Sequence, residues 1–372
     1  MYKSLAYDPK YALNAICPYF TMFPLEFPLK ALKKHKKDAP IVFDPFCGRG
    51  TTIYAARNLG IEAWGFDTSP IAIAIAKAKL ATATQQAVIS LAKKFITIEP
   101  KHIPQTQFFK FAYSSETLKE LCSIREGLLR IRKETGTSIL LRAAALGCLH
   151  GPISKTIEGA GYFSNQMPRT FATKPDYSVQ YWKKRNLKAP KVTVINVLSK
   201  KLERITDLNE EIEGSPDQII CTNSCENNSF KKLPKNISTV VTSPPYYGMT
   251  TYIQDQWLRM WFLGGPETVD YNTDAQIKHC GVDAFIRDLS TVWKNIYKSK
   301  SEVLDLYIRF GSLPSTKKDA KGILRSSLED AQGWKILSVR NASDSRTGKR
   351  QADQMTPNSK PVDEFDFHVV RA

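Results

Sequence analysis

A serine, two prolines and two tyrosines stand together in the stretch Thr242-Ser243-Pro244-Pro245-Tyr246-Tyr247-Gly248. The prolines fix φ at two successive positions, and the residue before a proline is restricted to extended geometry. The preceding run predicts a strand over 238–241, and open α/β sheets place their chemistry at the carboxyl ends of such strands. A stiff arc with a hydroxyl, unused proline carbonyls and an aromatic face can stack on a planar base and accept hydrogen bonds from its exocyclic amine. The alternative is a Pro-Pro surface turn whose tyrosines pack locally.

A second group follows the apolar run Ile41–Phe43 and reads Asp44-Pro45-Phe46-Cys47-Gly48-Arg49-Gly50-Thr51-Thr52. The pattern predicts a strand that ends at Asp44, then a glycine loop, then a helix over 51–59. Glycines let a backbone approach a ligand closely, and the N-terminus of a helix attracts negative charge. A dinucleotide site would place a third glycine where Ile53 stands, so the spacing disfavours that ligand.

The next predicted strand, Ala63–Phe66, leads into Asp67, about 20 residues after the glycine loop. In that position Asp67 can accept hydrogen bonds from both ribose hydroxyls of a nucleotide-like ligand. The alternative is a role at the start of a helix, because Thr68 or Ser69 is a suitable N-cap and Pro70 suits the first turn.

The composition indicates a globular protein with a polyanionic partner. The chain has 372 residues, and 53 Lys and Arg against 36 Asp and Glu give a formal net charge of +17. A surplus of that size favours nucleic acid, although a generic basic surface is the alternative and charge alone does not separate DNA from RNA. The seven cysteines are scattered without a CxxC pair and the histidines do not cluster with them, which argues against a disulfide framework or a zinc site and for a reducing compartment, so no metal is expected. With neither a signal peptide nor an apolar run of transmembrane length, we expect a soluble, cytoplasmic protein with no membrane partner.

The order of predicted elements implies an insertion. After a helix over 71–81, the next strand candidate is Gln218–Cys221, whereas a βαβ unit normally returns to its sheet within about 30 residues. A compact fold does not carry a loop of that length. We therefore expect an inserted, mostly helical domain over 95–212 and one sheet domain formed by 1–94 and 213–372. Further helices are predicted over 116–133, 138–150, 191–205, 254–263, 280–298 and 322–332, and further strands over 302–310, 334–339 and 364–370.

The positive excess is concentrated in the predicted insertion, since residues 101–210 hold 19 Lys and Arg against 9 Asp and Glu. Lysines and arginines neutralise phosphates, while asparagine, glutamine and arginine are the types that read base edges. The candidates for nucleic-acid binding are Asn165, Gln166, Arg169, Lys183, Lys184 and Arg185 and, in the loop before the last strand, Lys349 and Arg350. The alternatives are a solvated helix face in the insertion and a mobile loop near the end of the chain.

These groups together resemble the DNA methyltransferases that modify exocyclic amines. Ser243–Tyr246 resembles their motif IV, and Asp44–Thr52 resembles their motif I. An aromatic lead-in with Tyr19, Phe20 and Phe23 resembles motif X, and Asn223 stands where motif III often has an aspartate. The resemblance covers residues 11–80 and 215–372, in the order motif X, motif I, insertion, motif IV.

The resemblance implies an α/β fold, a Rossmann-like S-adenosylmethionine-dependent methyltransferase sheet with an inserted helical recognition domain. In that family the motif I aspartate, here Asp44, faces the amino group of S-adenosylmethionine. Arg49 stands where a small residue is common, which fits either a contact to the methionine carboxylate or a surface substitution. The implied cofactor-binding residues are Tyr19, Phe20, Phe23, Asp44, Pro45, Phe46, Gly48, Gly50, Thr51, Thr52, Asp67 and Asn223.

The implied reaction is methyl transfer to an exocyclic nitrogen of double-stranded DNA after the target base is flipped out. Tyr246 would stack on the base, while Ser243 and the Pro244 carbonyl would accept hydrogen bonds from the amine, with Pro245 keeping the arc stiff. Ser-Pro-Pro-Tyr is commoner among cytosine-N4 enzymes. The segment 164–170 resembles that of some restriction-modification enzymes, which implies pairing with a restriction endonuclease. The alternatives are an adenine-N6 DNA methyltransferase, then an RNA methyltransferase or a non-catalytic DNA-binding subunit.

Overall fold

The strands of the protein form one sheet in the order β3-β2-β1-β4-β5-β7-β6. The computed structural model describes residues 5, 8–18, 23–38, 40–151, 159–164, 174–205, 208, 210–247, 254–269, 281–299, 303–312, 319–342 and 363–372. Within them the strands are β1 Ile41–Asp44, β2 Ala63–Asp67, β3 Ile219–Cys221, β4 Ile237–Thr242, β5 Asp305–Ser312, β6 Trp334–Asn341 and β7 Asp363–Arg371.

The α-helices of the described residues fall before, between and after these strands. Their bounds are α1 Glu26–Lys33, α2 Thr51–Arg57, α3 Pro70–Lys77, α4 Gln85–Ile96, α5 Gln107–Ala112, α6 Ser115–Leu129, α7 Gly136–Cys148, α8 Pro175–Lys184, α9 Val194–Glu203, α10 Trp257–Phe262, α11 Val282–Lys298 and α12 Ala320–Ala331.

The sheet is parallel from β3 to β5, and β7 then runs antiparallel between β5 and β6. Parallel strands buried on both faces are nearly continuous apolar runs, and all four residues of β1 are buried. The carboxyl ends of β1, β2 and β4 therefore meet at one edge of the sheet. The predicted α/β fold class is confirmed.

Two apolar cores lie against the sheet. One is built from α1, α2 and α3 together with α4 to α10, and includes Val42, Val241 and Tyr307 from the strands. The other is built mainly from α11 and α12 against the opposite face, and includes Phe43, Phe66 and Phe310. Alternate residues of β1 enter different cores, as the period of two along a strand requires.

The described part of the segment between β2 and β3 is mostly helical, and the two strands pair with each other although residues 68–218 separate them. The backbone N–H of Ala83 donates to the carbonyl of Leu208 at 2.9 Å, so the segment leaves and re-enters the sheet region at one point. Helices α4 to α9 of this segment share a core with α1, α2 and α3. Helix α4 begins at Gln85, before the predicted boundary at residue 95, and the division into two domains stays a prediction.

Two kinds of feature are absent from the part of the chain that the structure describes. No helix there is long and apolar enough to span a bilayer. No group of three or more His, Cys, Asp or Glu side chains in the same residues is arranged as a metal site.

Candidate active site

Asp44 ends β1 inside the protein, and its two carboxylate oxygens have different surroundings. Oδ1 accepts the hydroxyl of Thr242 at 2.6 Å and the backbone N–H of Phe46 at 3.1 Å. Oδ2 is buried and has no hydrogen-bond partner among the described residues. Burial raises the pKa of Asp44 to about 6, against the lowering effect of its hydrogen bonds. The carboxylate therefore keeps an unused acceptor at the start of the glycine loop.

The glycine loop turns at Gly48 and Gly50, whose φ angles are +49° and +81°. A Cβ added to Gly50 would lie 3.0 Å from the Cα of Ala76 in α3, so this close approach requires glycine. The nearest atom to a Cβ added at Gly48 is the Phe46 carbonyl oxygen, 4.0 Å away. The loop therefore packs on α3 through Gly50 and leaves space beside Gly48.

Asp67 ends β2 and holds the loop from the other side. Its two carboxylate oxygens accept the N–H of Gly48 at 2.9 Å and the N–H of Ser69 at 2.8 Å. Ser69 is the N-cap of α3 and Pro70 follows it, so the role at a helix start is also real. Burial raises the pKa of Asp67 to about 6. Because a carboxylate has about four acceptor sites, each oxygen can still serve a hydroxyl of a ligand.

Two buried threonines join the glycine loop to β4. Thr52 Oγ1 donates to the carbonyl of Val241 at 3.1 Å, and Thr242 Oγ1 donates to Asp44. Thr51, also buried, opens α2 directly after Gly50. The residue that precedes Ser243 is thus bonded to the carboxylate that begins the glycine loop.

The arc Ser243–Tyr246 leaves the carboxyl end of β4 with Pro244 buried and its other three residues partly exposed. The ring of Tyr246 packs edge-to-face on Phe310 of β5, with centroids 5.9 Å apart. Tyr247 forms a parallel bridge with Ser312 at the end of β5. The arc is therefore fixed between the ends of β4 and β5, at the edge where Asp44 lies.

Glu364 and Arg309 adjoin the arc, and the sequence analysis missed both. The hydroxyl of Tyr246 lies within hydrogen-bonding reach of the side chains of Ser243 and Glu364, and burial followed by the charge of Glu364 raises its pKa well above the ordinary value. Arg309 is held by Asp366 through bonds of 2.6 and 2.8 Å. Glu364 comes into place because β7 pairs with β5, and no local sequence signal announces that register.

The end of β3 lies beside the end of β2, since the N–H of Thr222 donates to the Asp67 carbonyl at 2.9 Å. Asn223 is exposed there, and its Oδ1 accepts the N–H of Cys225 at 2.9 Å in a local turn. Ser224 donates to the carbonyl of Pro45 at 2.6 Å, and the ring of Phe46 packs edge-to-face on Trp293. The structure thus brings Pro45, Phe46 and Asn223 to the same edge as Asp44 and Asp67.

Phe23 is partly exposed and packs edge-to-face on Phe27, with centroids 5.8 Å apart. The remaining predicted site residues lie outside the described residues and stay predictions: Tyr19, Phe20, Asn165, Gln166, Arg169, Lys349 and Arg350.

Lys183, Lys184 and Arg185 form the exposed end of α8. Trp182 is fully buried and packs on Phe108 at 5.5 Å, which anchors the helix. The Arg185 guanidinium lies 3.9 Å from the ring centroid of Tyr181. The aromatic residues interleaved with these cations therefore have two roles, because one fixes the helix and another supports an exposed charge.

The strand order, the antiparallel β7 and the loop at the carboxyl edge define the Rossmann-like methyltransferase fold. Residues 3–78, which include Asp44, both loop glycines and Asp67, match the family model described as DNA methylase. Over these residues the chain is similar to DNA methylases of the N6/N4 kind, and S-adenosylmethionine is the cofactor that this likeness supports.

Two known proteins show further likeness. The Type II methyltransferase M.MjaII of Methanocaldococcus jannaschii is 37% identical over 68 residues, which are 18% of this chain and 13% of that protein. The chain thus spans a small part of the length of this relative. The crystal structure of magnesium protoporphyrin IX methyltransferase from Synechocystis PCC 6803 with bound SAM covers 99% of this chain at 8% identity, and 93% of that protein is covered. Its TM-score of 0.32 carries no argument about function.

The described residues fit S-adenosylmethionine. The unpartnered Oδ2 of Asp44 is an acceptor suited to an ammonium group. Asp67 offers acceptors for hydroxyls at the end of the neighbouring strand, and the space beside Gly48 admits a ligand against the backbone. Each of these protein groups suits a different part of S-adenosylmethionine.

Proposed function

We propose that the protein is a site-specific DNA methyltransferase that transfers a methyl group from S-adenosylmethionine to N4 of cytosine in duplex DNA. The hydrogen bond between Thr242 and Asp44 carries this proposal. It joins the arc Ser243–Tyr246 to the loop that is similar to DNA methylases. A methyl donor held by the loop and a base held by the arc would meet at one edge of the sheet.

The loop residues would hold the cofactor at three points. Asp44 Oδ2 would accept its ammonium group, Asp67 its ribose hydroxyls, and the backbone at Gly48 would lie directly beneath it. The bound cofactor would supply a methyl group on a sulfonium: an N–C bond replaces the S–C bond, the thioether, which is a good leaving group, leaves as S-adenosylhomocysteine, and the amine releases one proton to solvent. Orientation by the chain would therefore contribute most of the rate.

The arc would hold the target base after the base leaves the duplex, because an exocyclic nitrogen inside the stack is out of reach. Tyr246 is partly exposed, and its ring would stack on the base. Ser243 Oγ and the Pro244 carbonyl would accept hydrogen bonds from the amine and so aim its lone pair at the methyl group. No covalent bond between the base and the protein is needed.

Cytosine N4 is proposed as the target atom because the arc begins with serine, the form commoner among cytosine-N4 enzymes. The exposed cations at the end of α8 support duplex DNA as substrate, since phosphate neutralisation dominates such affinity. The resemblance of segment 164–170 supports pairing with a restriction endonuclease, and such an enzyme would act in the cytoplasm.

Mass spectrometry of nucleosides tests the proposal. DNA from cells that express the protein is digested, and N4-methylcytosine is expected with the wild type but not with Ser243→Ala. Purified Ser243→Ala should still bind S-adenosylhomocysteine with an affinity close to that of the wild type. N6-methyladenine in place of N4-methylcytosine would retain the reaction and change the target. The absence of both bases would overturn the proposed activity on DNA.

A further inference from the structure

The glycine loop contains a second charged side chain with an unused atom. Arg49, between Gly48 and Gly50, is 6% exposed, and its Nε has no hydrogen-bond partner among the described residues. Burial lowers the pKa of Arg49 to about 10, so the side chain is still a cation at neutral pH. The interpretation of Arg49 as a surface substitution is therefore wrong.

No ion pair between described residues involves Arg49. Besides burial, the side chain that affects the pKa of Arg49 is Cys17. The thiol of Cys17 donates a hydrogen bond to the carbonyl of Pro18 at 3.6 Å, so it does not act as a counter-charge for Arg49. Asp44 is not among the groups that act on the pKa of Arg49, and no ion pair joins these two described side chains. A buried cation without a counter-charge is costly, and a bound anion removes that cost.

Other cations in this neighbourhood do have partners. Helix α7 packs closely on the residues next to Cys17, as shown by Gly147, where an added Cβ would collide with the carbonyl of Ile16. Lys201 Nζ donates to the carbonyl of Ala15 at 2.9 Å, and Lys79 Nζ donates to the carbonyl of Leu13 at 2.6 Å. Backbone carbonyls of Leu13 and Ala15 thus satisfy Lys79 and Lys201, whereas Arg49 keeps an unused donor.

We infer that Arg49 binds the α-carboxylate at the methionine end of the cofactor, so that Asp44 and Arg49 together recognise that end as a zwitterion. The loop offers one unpartnered buried acceptor, Asp44 Oδ2, and one unpartnered buried donor, Arg49 Nε. An amino-acid group supplies one ammonium and one carboxylate, which is the complementary set. This inference rests on the proposed use of S-adenosylmethionine.

The recognition predicts a specificity. A ligand without the carboxylate leaves a buried guanidinium unpaired, and a site built for a polar group discriminates strongly against an analogue that lacks it. A hydrogen bond to a charged group corresponds to a loss of about 10- to 100-fold in affinity.

Calorimetric titration of the full chain without DNA measures this specificity with three ligands. They are S-adenosylhomocysteine, its decarboxylated analogue with the amine retained, and methylthioadenosine, which lacks the amino-acid end. The wild type should bind S-adenosylhomocysteine about 10-fold or more tighter than the decarboxylated analogue. Arg49→Gln should remove that preference and leave the affinity for methylthioadenosine unchanged.

Two control variants separate charge recognition from structure. Arg49→Lys keeps the cation and should restore part of the preference for the carboxylate. Lys201→Gln removes a cation that acts on the same cysteine but is already bonded to Ala15, and it should leave the preference intact.

Equal weakening of all three ligands by Arg49→Gln would show a structural role and overturn the inference. If Arg49→Gln does not fold, the wild-type protein still tests the inference. Equal wild-type affinity for S-adenosylhomocysteine and its decarboxylated analogue would overturn the inference. A wild type that binds none of the three ligands contradicts the proposed function itself. Loss of carboxylate preference alone, with the other ligands unaffected, supports the inference.

Discussion

The glycine loop and the exposed end of α8 both carry charged side chains, in opposite surroundings. In the loop, Asp44 and Arg49 are buried and each keeps an unused polar atom. At the end of α8, Lys183, Lys184 and Arg185 are exposed, and Arg185 lies over the ring of Tyr181. Buried charges with unused atoms suit one small ligand of fixed shape. Exposed charges on a helix end suit a long polyanion, with small contributions that fall as salt rises.

The largest effect is expected at Asp44. Asp44→Asn keeps an acceptor for Thr242 and Phe46 but removes the negative charge from the unpartnered oxygen, so affinity for S-adenosylhomocysteine should fall by about 10- to 100-fold. Without ligand at pH 7, the variant loses the cost of the buried carboxylate, about 3 kcal/mol, but buries amide N–H groups without acceptors at a cost of about 1–3 kcal/mol, so its free energy of unfolding should exceed that of the wild type only slightly. Calorimetric titration and chemical denaturation measure the two effects.

The raised pKa of Asp44 also determines how the stability of the protein changes with pH. The folded-state pKa of Asp44, about 6, exceeds the ordinary value of 3.8. The group therefore favours folding at pH values below its ordinary pKa, and that contribution is lost as pH rises through about 6. Asp44→Asn should flatten the stability profile between these values. Exposed Asp283 is the matched control, and an equal flattening by Asp283→Asn would contradict the assignment.

A smaller effect is expected at the end of α8. The triple variant Lys183→Ala, Lys184→Ala, Arg185→Ala should weaken duplex DNA binding by about 10-fold in moderate salt. It should also reduce the slope of log affinity against log salt by about 2 to 3, since each phosphate contact contributes about 0.9. Fluorescence anisotropy over a salt series measures both. An unchanged slope would place the DNA contact elsewhere, and weakened S-adenosylhomocysteine binding would break the contrast between the two regions.

The smallest effect is expected at Glu364, which is partly exposed and adjoins the buried hydroxyl of Tyr246. Glu364→Gln keeps the shape but removes a charge-assisted hydrogen bond that orients the arc, so turnover should fall by about 5- to 10-fold. Affinity for S-adenosylhomocysteine should stay within about twofold, since Glu364 acts on the hydroxyl of Tyr246 in the arc. Steady-state methylation assays with a binding titration separate these quantities. A change in affinity alone would assign Glu364 to the cofactor instead.

Local patterns were sufficient for elements whose limits depend on short-range chemistry. The helix predicted from Thr51 is α2, which begins at that residue because Gly50 supplies the positive φ before it. The strand predicted over 238–241 is β4, one residue longer at each end. The strand predicted over 302–310 is shifted and runs Asp305–Ser312, because pairing with β4 and β7 sets its limits.

The candidate site divides in the same way. Asp44, Asp67 and Ser243 could be proposed from sequence because each lies at or just after the end of an apolar strand. Glu364 could not, because its place depends on the register of β7 opposite Gly311. The burial of Arg49 could not be predicted either, because it depends on tertiary packing around the glycine loop, including the neighbouring Cys17, and no local pattern indicates it.

The hydrogen bond between Ala83 and Leu208 has a consequence for how this protein could diversify. Insertions are best tolerated where the two ends of the inserted chain lie close together. The helical segment between these residues could therefore be replaced by another of different length without displacing β2 from β3. The segment shares an apolar core with α3, so a replacement segment must also present an apolar face that packs on α3.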